Sequence, residues 1–254
     1  MTRIAALLLS VAATLFGAAA AAAELKVVSA GSVRGLIGGM IEDYSRQTGH
    51  KFDFTIGTTG QLRAIIMSGY PADLIITSDA LMKELEQSPN LPPGSRSDLG
   101  RVGIGVTSRA GAAVPDVSTP DLFKDALIKA KSVAFTDPTA GGTSALHFVK
   151  VLEALGITGL VKNKAVLTVG GKETAEAVAK GEAEIGVTFI SEIIAVNGAK
   201  LAGPLPPAFQ DYTLYTAAIP KASKEPAAAR AFVNHLTSAE ITPRWKAAGF
   251  EPPK

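Results

Sequence analysis

Four short stretches combine small hydroxyl residues and glycines in a way that suits chemistry on an anion. They are Ser29-Ala30-Gly31-Ser32, Thr58-Thr59, Gly141-Gly142-Thr143-Ser144 and Gly170-Gly171. Each stands between an apolar run and a segment with apolar residues at helical spacing, so each delivers its donors onto the start of a helix. The first N–H groups of a helix find no partner inside it and lie at the positive end of its dipole, which makes such a start a receptacle for negative charge. Taken singly, a residue of this kind is an N-cap serving its own helix. Recurrence at four places is what points to a shared ligand.

No Lys or Arg stands at the expected contact points, although Arg34 and Arg63 lie one turn into their helices. Neutral donors aimed from several sides suit a small guest that accepts hydrogen bonds all round, and a fully ionised tetrahedral dianion has no proton to give in return. A ligand with a proton would need an acceptor. Asp73 and Asp137 stand beside prolines and read as braces of turns.

The elements that must hold these loops alternate between strand and helix. A strand at Leu25–Val28 precedes a helix with Leu36, Ile37, Met40, Ile41 and Tyr44, ending near Gly49. Strand Phe52–Ile56 leads through Gly57-Thr58-Thr59-Gly60 into a helix carrying Leu62, Ile65 and Ile66, and Leu74-Ile75-Ile76 reads as a strand buried on both faces. A helix is expected near Ala80–Ser88, and Thr119-Pro120 opens another, with threonine as cap and proline at the first turn. Strands Ser132–Thr136, Ala165–Val169 and Glu184–Phe189 each run into a helix, and helices near Pro226–Leu236 and Ala239–Ala248 finish the chain. This order predicts an α/β fold of two lobes. Strands Arg101–Val106 and Tyr212–Ile219 are the expected crossings. Lobe 1 then comprises 24–103 and 216–254, and lobe 2 comprises 104–215.

Composition narrows the function. Arg3, the apolar run Ile4–Phe16 and Ala21-Ala22-Ala23 have the form of a secretory signal peptide over residues 1–23. The chain has no cysteine, which excludes disulfides, thiolate metal sites, a cysteine nucleophile and a lipidated cysteine. A net charge of +2, lower once Arg3 leaves, gives no electrostatic argument for nucleic acid or a membrane surface. His147 lies in an apolar helix and reads as packed; His50 and His235, near element ends, read as solvated, and the three have no metal-ligand spacing. No cofactor is expected.

A secreted hydrolase is the alternative from another class. Gly31-Ser32-Val33-Arg34-Gly35 does not fit the Gly-x-Ser-x-Gly turn, and Gly141–Ser144 lacks the Gly-Lys-Ser/Thr end of a phosphate loop. A third reading, an interaction module without a small ligand, has few aromatics to support it, and Trp245 reads as core.

Ser29-Ala30-Gly31-Ser32-Val33, Gly57–Leu62 and Gly69-x-Pro71-Ala72-Asp73-Leu74-x-x-x-Ser78 resemble, in order, the motifs of periplasmic molybdate-binding proteins of ABC transporters. The resemblance continues through Asp137-Pro138 and Gly181-Glu182-Ala183-Glu184-x-Gly186-Val187 to Ala248-Gly249-Phe250. It implies a type II periplasmic binding fold with mostly parallel mixed sheets and two crossings. It also implies a monomer in the periplasm that closes on a small oxyanion such as molybdate or tungstate and hands it to a permease. Carried over, the contacts fall on Ser32, Thr59, Thr143, Gly171 and Phe189; Ser29, Thr58 and Ser144 stand beside them in the same loops. Phe189 departs from the family's tyrosine, and Asp137–Ser144 departs from its proline-alanine-glycine ending. These departures make a small organic carboxylate, touching Phe189 and Arg34 or Arg63, the competing ligand.

Overall fold

A computed structural model describes residues 22–92 and 94–253; all but the last two residues of the expected signal peptide lie outside this range. The strand β1 (Glu24–Ala30) pairs in parallel with β2 (Lys51–Gly57) on one side and β3 (Leu74–Ser78) on the other. Helices α1 (Gly31–Thr48) and α2 (Thr59–Met67) make the crossovers, and α3 (Asp79–Glu86) follows β3. Leu74-Ile75-Ile76 is buried throughout, as an unbroken apolar run in a covered parallel sheet must be.

The next strand, β4 (Arg96–Arg109), is long, and its partners change midway. Through Gly103 it pairs antiparallel with β9 (Tyr212–Ala218); from Ile104 it pairs with β7 (Ile185–Phe189) and β8 (Ala199–Pro204). Helix α4 (Pro120–Lys129) follows β4, entered as expected by Thr119, whose hydroxyl accepts the Leu122 N–H. The second sheet half is parallel again, with β5 (Val133–Thr136) between β6 (Ala165–Thr168) and β7. Helices α5 (Thr143–Ala154) and α6 (Thr158–Lys162) join β5 to β6, α7 (Gly171–Lys180) joins β6 to β7, and α8 (Ile190–Ile194) follows β7. After β9 come α9 (Pro226–Leu236), α10 (Thr242–Ala247) and β10 (Phe250–Glu251), which pairs with β4.

The strand order is β2-β1-β3-β9-β4-β7-β5-β6. The flanks are parallel and the middle, built on β4 and β9, is antiparallel. The fold is therefore α/β and two-lobed, with β4 shared by both lobes. Strand β9 itself pairs only with β3 and the first part of β4, so the return passage lies just before it, in 205–211. Gln210 anchors that passage: its side-chain carbonyl accepts the Ile104 N–H and its amide donates to the Ile104 carbonyl, each at 2.9 Å. One continuous set of buried side chains, including Val27, Ile76, Val102, Ile104, Val133 and Val187, runs through both lobes.

Two histidines expected at the surface are not there. His50 is buried; its Nδ1 accepts the Ala23 N–H at 2.9 Å, and its ring stacks on Tyr44. His235 lies 4.8 Å from Tyr44, ring to ring, with its Nε2 buried. Both are drawn in by the aromatic cluster of Tyr44, Phe52 and Phe232. His147 is packed, with Nε2 2.7 Å from the Phe209 carbonyl oxygen, and Trp245 is core, its indole N–H donating to Leu236.

Asp73 braces a junction. Its carboxylate accepts from the Lys26 N–H in β1, from the Ser223 hydroxyl and from the Lys224 and Glu225 N–H groups at the start of α9. Burial alone would raise its pKa, but these bonds together hold it below the ordinary carboxylate range. The contribution is present above the unfolded pKa of 3.8 and is lost as pH falls through the lower folded value. Asp73→Ala is expected to lower stability at neutral pH by about 2–4 kcal/mol. Urea unfolding measures the loss, which should shrink in acid, where the native carboxyl is also protonated.

Candidate functional site

The carboxyl ends of β1, β2, β5, β6 and β7 face one cavity of about 300 Å³ between the lobes. Its wall is made largely of helix starts. Helix α1 begins after Ala30, α5 after Gly142 and α7 after Gly170, and none of the three has a side-chain cap. Helix α2 differs. Thr58 forms a full capping box, with its hydroxyl accepting the Gln61 N–H and the Gln61 side chain accepting the Thr58 N–H.

Of the eight residues singled out from sequence, seven line this cavity: Ser32, Thr58, Thr59, Thr143, Ser144, Gly171 and Phe189. They come from both lobes. Ser29 does not reach the wall; it is buried within β1, where its hydroxyl makes only a long contact of 3.4 Å to the Ala30 carbonyl. It is the penultimate residue of the strand, and its side chain points to the opposite face from that of Ala30, which does line the cavity. Ser32 is buried with its hydroxyl lacking a hydrogen-bond partner, beside the Tyr215 phenol. Phe189 packs edge-on to Tyr215, ring centroids 6.1 Å apart, and offers no polar atom.

The lobes touch at the cavity rim. Thr59 and Thr143 hydroxyls lie 3.0 Å apart, the Gly60 N–H donates to the Gly141 carbonyl at 3.2 Å, and the Thr58 hydroxyl donates to the Ala140 carbonyl. On the far side the Ser191 hydroxyl donates to the Ser32 carbonyl at 2.8 Å. Thr58 is thus committed to its own helix and to the other lobe. Of the two arginines considered from sequence, Arg34 lines the wall, whereas Arg63 pairs with Glu84 at 2.6 Å, away from it. Lys172 also lines the wall and pairs with Glu176.

Among the wall residues that were not foreseen, two are buried and titratable. Glu192, on α8, and Tyr215, on β9, are buried and line the cavity. The Thr188 hydroxyl donates to Glu192 Oε2 at 2.5 Å. Burial pushes Glu192 up to about 7, with a small rise from Glu173, against the Thr188 hydroxyl and the Phe189 N–H, which favour the ionised form. Burial likewise raises the Tyr215 phenol, with a further rise from Glu192. Gly171 is where this acid meets the start of α7. A Cβ there would lie 1.8 Å from Glu192 Oε2 and 2.2 Å from Thr188 Oγ1, so only glycine fits. An acidic residue in the first turn of a helix reads from sequence as a dipole partner, which is why Glu192 gave no signal.

Among the described residues no three His, Asp or Glu side chains cluster as metal ligands, and no helix is long and apolar enough to cross a membrane. The described wall supplies anion-accepting dipoles, two cations, Arg34 and Lys172, and two carboxyl groups, of which Glu192 is buried and Glu173 half-buried.

Comparison with known proteins agrees with this geometry. The sequence profile described as bacterial extracellular solute-binding protein matches residues 25–251. The chain is 32% identical over 250 residues to a protein named aconitate isomerase from Pseudomonas sp, covering 96% of this chain and 94% of that one. It is 29% identical over 249 residues to the molybdate-binding protein ModA of Azotobacter vinelandii, covering 96% of each. Among solved structures, the periplasmic molybdate-binding protein of Azotobacter vinelandii superposes with a TM-score of 0.75 at 24% identity, over 91% of this chain and 100% of that one. That likeness shows the two-lobed fold of periplasmic binding proteins.

The carboxyl of Glu192 makes stability depend on pH. Its folded pKa is about 7 against 4.5 for the ordinary group, so the native state holds the proton more tightly. The contribution is complete below about 4.5, declines as pH rises through about 7 and is flat beyond, a span of roughly 3 kcal/mol at most. Denaturant unfolding of Glu192→Gln without ligand is expected to lack this decline; the same slope in both proteins would place the titrating group elsewhere.

Proposed function

Because the chain belongs to the bacterial extracellular solute-binding protein family, we propose that it captures a small anion between its lobes and delivers it to the permease of an ABC transporter. The observation that carries this is the convergence of Ser32, Thr59, Thr143 and Gly171, from both lobes, on one cavity. Residues 24–103 with 212–254 form one lobe and 104–204 the other, hinged in β4 at Gly103–Ile104 and in the 205–211 connector. Closure brings the α2 and α5 starts together and completes the shell. The leader directs the protein to the periplasm, where it works as a monomer.

Two ligand classes fit the donors. A bare oxyanion such as molybdate or tungstate agrees with the relative named for molybdate. The wall favours a small organic carboxylate instead. The cavity, at about 300 Å³, exceeds the needs of a single tetrahedral ion, and Phe189 offers packing where a donor would be wanted. Arg34 and Lys172 supply charge to one side of a longer ligand, while the Glu192 carboxyl would face a bare dianion directly. A second reading, isomerisation of a bound unsaturated carboxylate, is favoured by Glu192, whose pKa suits a general base, and by the relative named aconitate isomerase. Conversion of cis-aconitate into its trans isomer, followed by NMR, tests it; no conversion removes it.

A thermal-shift screen of molybdate, tungstate, sulfate, phosphate and small carboxylates is expected to give one class a large stabilisation, since a ligand selective for the native state raises its apparent stability. Ser32→Ala and Thr59→Ala should each weaken that ligand about tenfold or more without unfolding the protein, as one hydrogen bond to a charged group is worth roughly 1.5–3 kcal/mol. Unchanged affinity in both would take these residues out of the site. Phe189→Tyr should improve binding of molybdate if that is the cargo, and leave a carboxylate no better bound.

A further inference from the structure

We propose that the cleft takes up its anion together with a proton, and that Glu192 holds that proton against the ligand. This deepens the anion-capture reading and rests on it. The placement of the carboxyl carries the inference. Glu192 lies where the α1 and α7 starts meet: its Oε1 is 3.8 Å from the point a Cβ would occupy on Gly31, and its Oε2 fills the space a Cβ would need on Gly171. Gly31 and Gly171 open two of the three uncapped helices at the cavity, one from each lobe. An anion seated on their N–H groups therefore lies against the Glu192 carboxyl.

The groups around that carboxyl do not neutralise it. From β7 come the Thr188 hydroxyl and the Phe189 N–H, from β9 the Tyr215 phenol, and from α7 the Glu173 carboxylate, which opposes its ionisation. Lys172, on α7, is paired with Glu176, and Arg34, on α1, also acts on Glu176. No cation is among the groups acting on Glu192. An ionised Glu192 would place a second negative charge beside the ligand in a cleft walled by protein, where repulsion is stronger than in water. Protonation removes the charge and adds a donor. Because Thr188 occupies Oε2, the proton belongs on Oε1, the oxygen beside Gly31. The acid then supplies the hydrogen bond that Phe189 does not.

Calorimetric titration of the full chain with molybdate and with tricarballylate tests this from about pH 7 to about pH 9, where both probes keep a nearly constant charge. Runs in two buffers of different ionisation enthalpy give the protons taken up per ligand. Uptake is expected to approach one proton toward the alkaline end, with affinity falling up to about tenfold per pH unit. Glu192→Gln should lose the uptake and bind with an affinity that no longer varies with pH. Thr188→Val, which removes a bond to the ionised form, should move the onset of the decline to higher pH.

Binding of either probe with no proton uptake in the wild-type protein overturns the proposal and leaves anion capture standing. Uptake that persists in Glu192→Gln also overturns it. Binding of molybdate with proton uptake, and no binding of tricarballylate, supports the proposal and counts against a tricarboxylate as the ligand. Absence of binding by both probes at every pH, with no stabilisation by any anion of the thermal-shift screen, removes anion capture and this proposal with it.

Discussion

A helix cannot satisfy its own first N–H groups, and this protein aims several such groups at one enclosed space. Everything around the cavity follows from that constraint. The α1, α5 and α7 starts have no side-chain caps, so their dipoles remain open to the cavity. The loops that open these helices are glycine and small hydroxyl residues, because backbone must approach closely and no bulk can intervene. Cations are peripheral here. Arg34 and Lys172 reach the wall, yet the centre is lined by neutral donors, an arrangement that holds charge without fixing the position of a counter-charge.

Such a site works only if the two lobes are held in a definite relation, and β4 provides it. One continuous strand pairs with β9 up to Gly103 and with β7 from Ile104, so a small change in its twist rotates one lobe against the other. Gln210 ties the return connector to the same residue, Ile104, at which β4 changes partners. Both connections are therefore registered to one point. The polar contacts across the cleft are Thr59 to Thr143, Gly60 to Gly141 and Thr58 to Ala140 at the rim and Ser191 to Ser32 on the far side, where α1 also packs on α8. Polar contacts of this kind are each worth about 1 kcal/mol net, weak enough for water to replace them.

Much of the architecture was legible in the sequence. The strand–loop–helix units at Ser29–Ser32, Thr58–Thr59, Thr143–Ser144 and Gly170–Gly171 announce themselves by glycine and hydroxyl residues between two different hydrophobic periods. The units that escaped are short or depend on distant partners. Helix α6 has five residues, β10 has two, and β8 mixes Ala, Gly and Pro, so local pattern is too brief to identify them. The antiparallel middle was also hidden, since nothing in β9 itself says that it lies between β3 and β4. Tyr215 and Glu192 escaped for the same reason. Tyr215 alternates with its neighbours like any core residue, and it becomes part of the wall only because β9 is threaded beside the crossing. His50 looked like a polar residue at an element end until Tyr44 and the Ala23 N–H gave its ring both a stacking partner and a hydrogen bond.

The wall therefore has two kinds of corner. Three of them, at the starts of α1, α5 and α7, are generic: uncapped dipoles and small residues that grip any compact anion. The fourth, at the junction of β7 and α8, is particular. Within four residues it places an aromatic ring, Phe189, and a buried acid, Glu192, on the cavity, with Thr188 behind them. An apolar ring disfavours a ligand whose whole surface is charged, and a carboxyl that must be neutral to coexist with an anion selects by protonation as well as by shape. The generic corners set how strongly negative charge is held. The β7–α8 junction, where the described wall presents a buried acid and a ring in place of an open donor, is where one anion can be told from another.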